Sequence, residues 1–474
     1  MSGWRLAPDV QRLSHSRLAG GAPYRIVRLA PEGRAALATL LGTTDPAPPG
    51  SPSAALADRL VRAGILLAPS RGSVTAEDIT VVIPVLGRTE QVRTLLARVP
   101  DRLPVVVVDD GSQPRIDPTI CDRPQTRLIR HPTSLGPGAA RNAGAAVTTT
   151  EWVAFIDADV DPGEDWLGAL LAHADSDVVA IAPRIVSAPV TGAVGLVEQW
   201  CGALDRGPTP QDVGPGRAVS FVPTAVLLVR RESFHAAGGF VADLTVGEDV
   251  DLVWRLLDIG RVRYEPDVVA LHQPRPSLWS VLRRRYDYGT SAAALERHHP
   301  GAIRHADVSV WSLAPWLLAA LIRPRVGLAA AVATVAIAPR GLQHLPPTEA
   351  MTLAVRGHLL ATVGLGRYLA RPLWPVTVLA VAMYRRPRSV LVGSLALGYA
   401  DVARRRLAAD GLGRGATTAL TMAAGRSVSA AVLDDAAYGL GVWTSCWQAR
   451  QIGPLLPRVR DLPRPASLLR RGHR

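Results

Sequence analysis

Four segments decide the reading: VVIPV at 81–85, VVVVDDGS at 105–112, FIDADVDP at 155–162 and VGEDVDL at 246–252. The first is wholly apolar, and the next two begin as apolar runs that end in Asp109-Asp110 and Asp157-Ala158-Asp159. Short apolar runs separated by amphipathic stretches predict a parallel sheet buried on both faces, with helices between its strands. The expected strands are Ile79–Val85, Val105–Val108 and Trp152–Ile156, with a helix at Glu90–Val99. In open α/β sheets, ligands sit beyond the carboxyl ends of the strands. The acids stand at those ends, so chemistry is expected along that edge. Taken singly, each acidic cluster also reads as a tight turn, a polar loop or a first-turn carboxylate. Their order, and their attachment to apolar strands, argue for one site.

The residue types agree on one kind of chemistry. Asp157 and Asp159 lie two apart at a strand end, so both can reach one spot outside the sheet. Hard oxygen ligands suit Mg²⁺ or Mn²⁺, which keep waters and bind substrate phosphates. A cation there would make a nucleoside diphosphate a good leaving group. Asp109 and Asp110 can accept from a base N–H or a ribose. Gly136-Pro137-Gly138, followed by Arg141-Asn142, reads as a loop entering a helix, with backbone N–H groups and an arginine available to a diphosphate. Glu248-Asp249, about ninety residues after Asp157 and Asp159, offers a carboxylate that could take the proton of an acceptor hydroxyl. His272 follows a further strand at Val268–Leu271, where a third metal ligand would be useful. A lone histidine is as readily structural. Arg284 and Arg285, on an expected helix, are candidates to clamp the leaving group or simply to form a solvated basic face.

Composition narrows the class. The chain has 474 residues, a net charge of +13 and 48% hydrophobic residues, which excludes a disordered chain. All 53 basic residues are arginine, and Asn142 is the only asparagine. Depletion of A/T-rich codons accounts for that bias, so the charge is weak evidence for nucleic acid. No interleaved basic and aromatic clusters occur, and no nucleic-acid partner is expected. Cys121, Cys201 and Cys446 lie far apart and form no CxxC pair, which fits a reducing cytoplasm. The opening MSGWRLAPDV has no apolar run of signal-peptide type.

The rest of the chain divides by texture. Residues 1–72 read as a small winged-helix-like unit or as a generic helical cap on the next domain, with a strand at Tyr24–Leu29 and helices at Pro31–Leu41 and Ala54–Ala63. Residues 78–300 carry the acidic motifs. Residues 301–450 are rich in Ala, Leu, Val and Gly, and their apolar runs are cut by Arg323, Arg325, Arg340, Arg367, Arg371 and Arg385-Arg386. No run reaches the ~18–20 residues of a clean membrane span. Such helices either form a packed layer or lie in a membrane interface as a peripheral contact on the inner face of the cell membrane. Residues 451–474 form a basic tail.

At these residues the sequence resembles the inverting family 2 glycosyltransferases of the GT-A fold. The resemblance covers about residues 78–300. It runs through the opening strand with Pro84 and Val85, Asp109-Asp110-Gly111-Ser112, Gly138-Ala139-Ala140-Arg141-Asn142-Ala143-Gly144, Asp157-Ala158-Asp159 and Gly247-Glu248-Asp249. It implies a GT-A-type nucleotide-sugar-binding sheet with helices on both faces and a UDP-sugar donor. It further implies that Asp110 contacts uracil, that Asp159 binds a divalent cation, that Asp157 supports the ribose or the metal, that His272 corresponds to a late metal-binding histidine, and that Asp249 is the base. Leu282-Arg283-Arg284-Arg285-Tyr286 looks like a degenerate Gln-x-x-Arg-Trp motif, with Leu for Gln and Tyr for Trp, which speaks against a processive synthase. Residues 1–72 look like the small winged-helix domains that recognise ribosomal precursor peptides. The whole layout resembles the mycofactocin-system glycosyltransferase family, which adds β-linked glucose to a peptide-derived redox cofactor. Three alternatives stand beside this. The first is a family 2 enzyme acting on a cell-envelope lipid or polysaccharide. The second is a sugar nucleotidyltransferase, which would want a glycine-rich phosphate loop after the first strand, where Val85-Leu86-Gly87-Arg88-Thr89 offers one glycine. The third is a non-catalytic binding protein.

Overall fold

Short strands of mixed polarity pair early in the chain, and apolar runs build the central sheet. The computed structural model describes all residues except 1–2, 8–9, 22–24, 46, 49, 70–75, 304, 344, 410–416 and 462–474. Most of the basic tail and Tyr24, the first residue of the first expected strand, therefore lie outside the described residues. Contacts divide the chain into one unit of residues 1–189 with 202–274 and a second of 190–201 with 275–474. The boundary falls near 274 rather than near 300, and the segment 190–201 crosses to the second unit.

The first unit begins with β1 (Arg5–Leu6), β2 (Gln11–Ser14), β3 (Arg17–Gly20) and β4 (Arg25–Arg28), then α1 (Pro31–Leu41), α2 (Pro52–Arg62) and β5 (Leu66–Leu67). β2, β3 and β4 form an antiparallel sheet, and β1 pairs with β5. Pro31 starts α1 where its missing N–H costs nothing. Ser51 caps α2, its Oγ accepting from the Ala54 N–H at 3.1 Å. Leu18, Leu37, Leu40, Leu60 and Ile65 share a core. Only one of these early strands had been expected. β2 carries Gln, Arg and Ser and is largely exposed, so no apolar run announces it.

The central sheet is built from β6 (Ile79–Val85), β7 (Val105–Asp109), β8 (Thr126–Arg130), β9 (Trp152–Ile156), β10 (Val160–Asp161), β11 (Val178–Ser187), β12 (Gln211–Asp212), β13 (Val226–Arg230) and β14 (Arg261–His272). The order is β10-β14-β11-β13-β9-β6-β7-β8, with β12 against β14. Among them run α3 (Thr89–Leu96), α4 (Pro137–Ala146), α5 (Trp166–Leu171), α7 (Arg231–Ala236) and α8 (Glu248–Leu256), while α6 (Gly192–Cys201) belongs to the second unit. β9, β6, β7 and β8 are parallel, as expected. β13 is antiparallel to both β9 and β11, so the sheet is mixed. An apolar run carries no information about strand direction, which is why this reversal was not legible. Val81 and Ile83 join Val92 and Leu95 of α3 in one core. A Cβ on Gly144 would collide with Val82, so α4 packs closely against the other face. Helices thus cover both faces, as the GT-A-type reading requires.

The second unit is helical: α9 (Leu278–Thr290), α10 (Ala292–His298), α11 (Val310–Leu321), α12 (Pro324–Gly341), α13 (Pro347–Ala370), α14 (Trp374–Met383), α15 (Arg385–Ala409) and α16 (Thr417–Ala449). Two short strands, β15 (Asp307–Ser309) and β16 (Arg458–Arg460), pair in parallel. Buried Asp434 and Asp435 organise the interior. Arg367 meets Asp435 at 2.9 Å, Arg371 meets Asp434 at 2.8 Å and Asp435 at 3.0 Å, and Arg285 pairs with Asp434. Arg367 and Arg371 therefore do not break apolar runs for solvent's sake. They turn inward to acids sixty-odd residues away in sequence, a pairing no local pattern reveals. No helix among the described residues is long and apolar enough to cross a membrane.

This interior carries a pH dependence. His305 packs edge-on to Tyr438, with ring centroids 5.8 Å apart, and the Arg371 guanidinium lies over the same ring. Burial, with a lesser push from Arg371, lowers the imidazole to about 4. Between its unfolded value near 6.5 and about 4, the unfolded chain binds the extra proton, so stability falls as pH falls through that window. The loss is at most about 3 kcal/mol. Thermal unfolding at pH 7 and pH 4.5 should show that drop, and His305→Gln should shrink it.

Candidate active site

The parallel register places the acidic clusters side by side. Val85 is opposite Asp109, and Asp109 is opposite Arg130, so β6, β7 and β8 end together. Val85 and its neighbour Pro84 are buried at that edge, and the Val85 carbonyl accepts from the Asp110 N–H at 2.9 Å. Asp109 is buried, accepts from the Ser112 N–H at 2.8 Å and pairs with Arg130. Burial alone would raise its carboxyl, but the bonds from Ser112, Ile116 and Arg130 outweigh this and hold it below the usual range.

Asp110 has both oxygens occupied by the 131–136 loop. Oδ1 meets His131 Nδ1 at 2.7 Å and accepts from the Leu135 N–H at 2.9 Å. Oδ2 accepts from Ser134 Oγ at 2.7 Å and the Gly136 N–H at 2.9 Å. Burial opposes its charge, yet His131 and the three loop donors lower its carboxyl. Expected as a base contact, Asp110 stands in the structure as the anchor of the loop that enters α4. Gly111 makes that possible: its φ is +82°, and a Cβ would sit 2.5 Å from the Ser134 nitrogen. His131, Ser134 and Arg130 were not singled out from sequence. The usable signal was their position at the end of the strand beside Asp109.

Asp159 and His272 come together through backbone pairing. Val160 is opposite His272, and the Gln273 N–H donates to the Asp159 carbonyl at 3.0 Å. His272 Nε2 lies 3.6 Å from Asp159 Oδ2, and Arg88 pairs with the same carboxylate. Asp157 does not join them. Its Oδ1 accepts from Arg141 at 2.5 Å. Among the described residues, no three ligating side chains are grouped closely enough to hold an ion alone. The expected three-residue set is therefore a pair, Asp159 and His272, with Asp157 held apart. That pair still fits a divalent cation of the Mg²⁺ type, which takes one or two protein ligands and completes its shell with waters and substrate phosphates. Arg88, at the start of α3, is a neighbour the sequence did not flag.

Arg141 is the second surprise. Expected to reach a diphosphate, it is only 4% exposed and bridges Asp157 and Glu248, the latter at 3.3 Å. Burial disfavours its charge, but Asp157 and Glu248 outweigh that and raise the guanidinium above its ordinary value. It also lies 5.4 Å from the Phe240 ring centroid. Asn142, the lone asparagine, clamps the same segment: its amide donates to the Phe240 carbonyl at 2.7 Å and accepts from the Phe240 N–H at 2.8 Å. Asp249 sits half-buried in the first turn of α8, after Gly247 at φ +85°. Glu248 is buried on Arg141, so only Asp249 of the two is placed at the surface of the turn. Arg284 and Arg285 lie on α9 in the second unit. Arg285 is spent there on Asp434 and the Cys201 carbonyl, and Arg284 lies 4.9 Å from the Tyr288 ring centroid.

Comparison with known proteins identifies the family. The model of "Glycosyl transferase family 2" matches residues 80–236. The pre-mycofactocin glycosyltransferase of Mycobacterium tuberculosis strain H37Rv is 36% identical over 460 residues, covering 94% of this chain and 95% of that protein. Glycosyltransferase AglE of Haloferax volcanii is 24% identical over 253 residues, covering 51% of this chain and 80% of its own. A solved mannosyltransferase from Pyrobaculum calidifontis, in complex with GDP-Man and Mn²⁺, is 20% identical, with a TM-score of 0.36 over 71% of this chain and 90% of that one. The identity over nearly the full length of both chains, together with the family 2 match across β6 to α7, shows that the chain belongs to the pre-mycofactocin glycosyltransferases of glycosyltransferase family 2.

Proposed function

We propose that this chain transfers glucose from UDP-glucose to a hydroxyl of a peptide-derived redox cofactor, with inversion to a β linkage. The observation that carries the reading is the pairing of two groups on one sheet edge. Asp159 and His272 face each other, while Arg141 ties Asp157 to the turn bearing Asp249. Asp249 takes the proton of the acceptor hydroxyl as that oxygen bonds to the anomeric carbon. The bond from that carbon to the β-phosphate oxygen breaks, and UDP leaves. Asp159 and His272 would hold a divalent cation, Mg²⁺ or Mn²⁺, which supplies neutralisation of the departing diphosphate. Pro84, Val85, Asp109 and Asp110 shape the nucleoside end, Asp110 through the loop it anchors. Residues 1–72 are read as the element that meets the precursor peptide.

Mass spectrometry of the endogenous acceptor pool tests the assignment. Species spaced by one hexose should disappear without this protein and return with the wild-type chain. Asp159→Ala should not restore them, its transfer rate falling at least about a hundredfold if the cation contributes several kcal/mol. Hexose-spaced species that persist without the protein would refute the assignment.

A further inference from the structure

The helices α11, α12 and α14 of the second unit are apolar on every side. From Val326 to Pro339, α12 has no charged residue, and α14 has none from Trp374 to Met383. A helix that is apolar all round is normally buried in protein or lipid. Here it is not buried by the described residues. Leu328 and Val332 of α12 are 66% and 60% exposed, and Leu379 and Met383 of α14 are 60% and 67% exposed. Trp311 and Leu321 of α11 add to the same kind of surface. Exposed apolar area on this scale marks an interaction surface.

Charge identifies the partner. From Val310 to Ala400 there are nine arginines and one acid, Glu349. Arg367 and Arg371 are spent on buried aspartates. Arg323 and Arg325 stand exposed at the start of α12, Arg340 at its end, and Arg385 and Arg386 at the start of α15. Arginines at helix N-termini work against the helix dipole, so they gain nothing from their own helices. A second copy of the chain seated on this face would bring arginine against arginine. A protein partner with an apolar face would need its own acidic rim. An anionic bilayer offers both features at once: acyl chains for the leucines and phosphates for the arginines. The uncharged stretch of α12 spans about 21 Å, short of the ~30 Å hydrocarbon core, so the helix lies in the interface rather than across it. Exposed Trp311 is a residue type favoured at that depth.

We infer that the exposed apolar residues of α11, α12 and α14 dock on an anionic lipid bilayer as a monotopic contact, holding the enzyme at a membrane surface. The test is vesicle flotation of the purified full chain, using phosphatidylcholine alone and phosphatidylcholine with about one-third phosphatidylglycerol. The chain should float with the anionic vesicles and do so several-fold less with the neutral ones. Arg323→Ser, Arg325→Ser and Arg386→Ser combined should weaken anionic binding on the order of a hundredfold, about fivefold per arginine. Leu328→Gln with Leu379→Gln should also lower flotation, and both positions are exposed, so the melting curve by circular dichroism should be retained. Failure of the wild-type chain to float with anionic vesicles would overturn the inference. So would equal flotation with neutral vesicles, triple-arginine variants that float like wild type, or a lipid-free dimer in light scattering whose formation hides this face.

Discussion

Replacing Asp249 with Asn is expected to lower turnover of hexose transfer by about 10²–10⁴-fold, the usual contribution of a positioned general base. UDP affinity should stay within about threefold, since the change is isosteric. The reasoning is positional. Gly247, in a left-handed conformation, turns the chain into α8 so that residue 249 falls in the first turn. Asp249 Oδ1 accepts from the Val250 N–H at 2.8 Å, a bond an asparagine oxygen can keep. What asparagine cannot do is receive a proton. Glu248, one residue earlier, is buried against Arg141, so Glu248→Gln should act by loosening that contact and cost less. Rapid-quench measurement of transfer, beside titration of UDP, separates the two. Turnover by Asp249→Asn at the wild-type rate would remove the base from residue 249.

Arg141→Met is expected to destabilise the first unit by about 3–5 kcal/mol, the range for removing one partner of a buried ion pair. For a unit of this size that corresponds to a fall in melting temperature of about 10 °C. The methionine fills the space, but Asp157 and Glu248 are then left facing each other without the cation between them. Both would have to take up a proton or move apart. Arg141→Lys should recover only part of the loss, because one ammonium cannot match a two-pronged guanidinium that reaches both acids. Scanning calorimetry of the three proteins checks the order wild type, Lys, Met. A melting temperature unchanged in Arg141→Met would show that the bridge contributes nothing.

What the sequence made legible follows from how far each signal reaches along the chain. β6 and β9 were read residue for residue, because an apolar run bounded by polar turns is a local signal. The acidic edge was legible for the same reason: Asp109, Asp110, Asp157 and Asp159 directly follow such runs. The partners of those acids were not. Asp110 is satisfied by residues 131–136, Asp159 by Arg88 and His272, and Asp157 by Arg141. Each pairing depends on how separate strands, loops and helices come together in the fold, and a list of residue types is silent about that. The same holds for β13, whose direction is set by its connections, and for Arg367 and Arg371, whose acids sit on α16, sixty-odd residues further along the chain. Arg141, expected at a diphosphate, is placed as an internal bridge between Asp157 and Glu248. One turn into α4, with Gly138 and two alanines before it, the side chain reaches the space between β9 and α8 rather than the loop.

The most direct measurement is a transfer assay with the purified full chain, UDP-glucose, Mn²⁺ and the unglycosylated peptide-derived acceptor, following both products. The proposed mechanism requires UDP and hexose-extended acceptor to appear in equal amounts, and both to vanish when the metal is chelated. Pyrophosphate in place of UDP, or an acceptor left unchanged while the donor is intact, would contradict it.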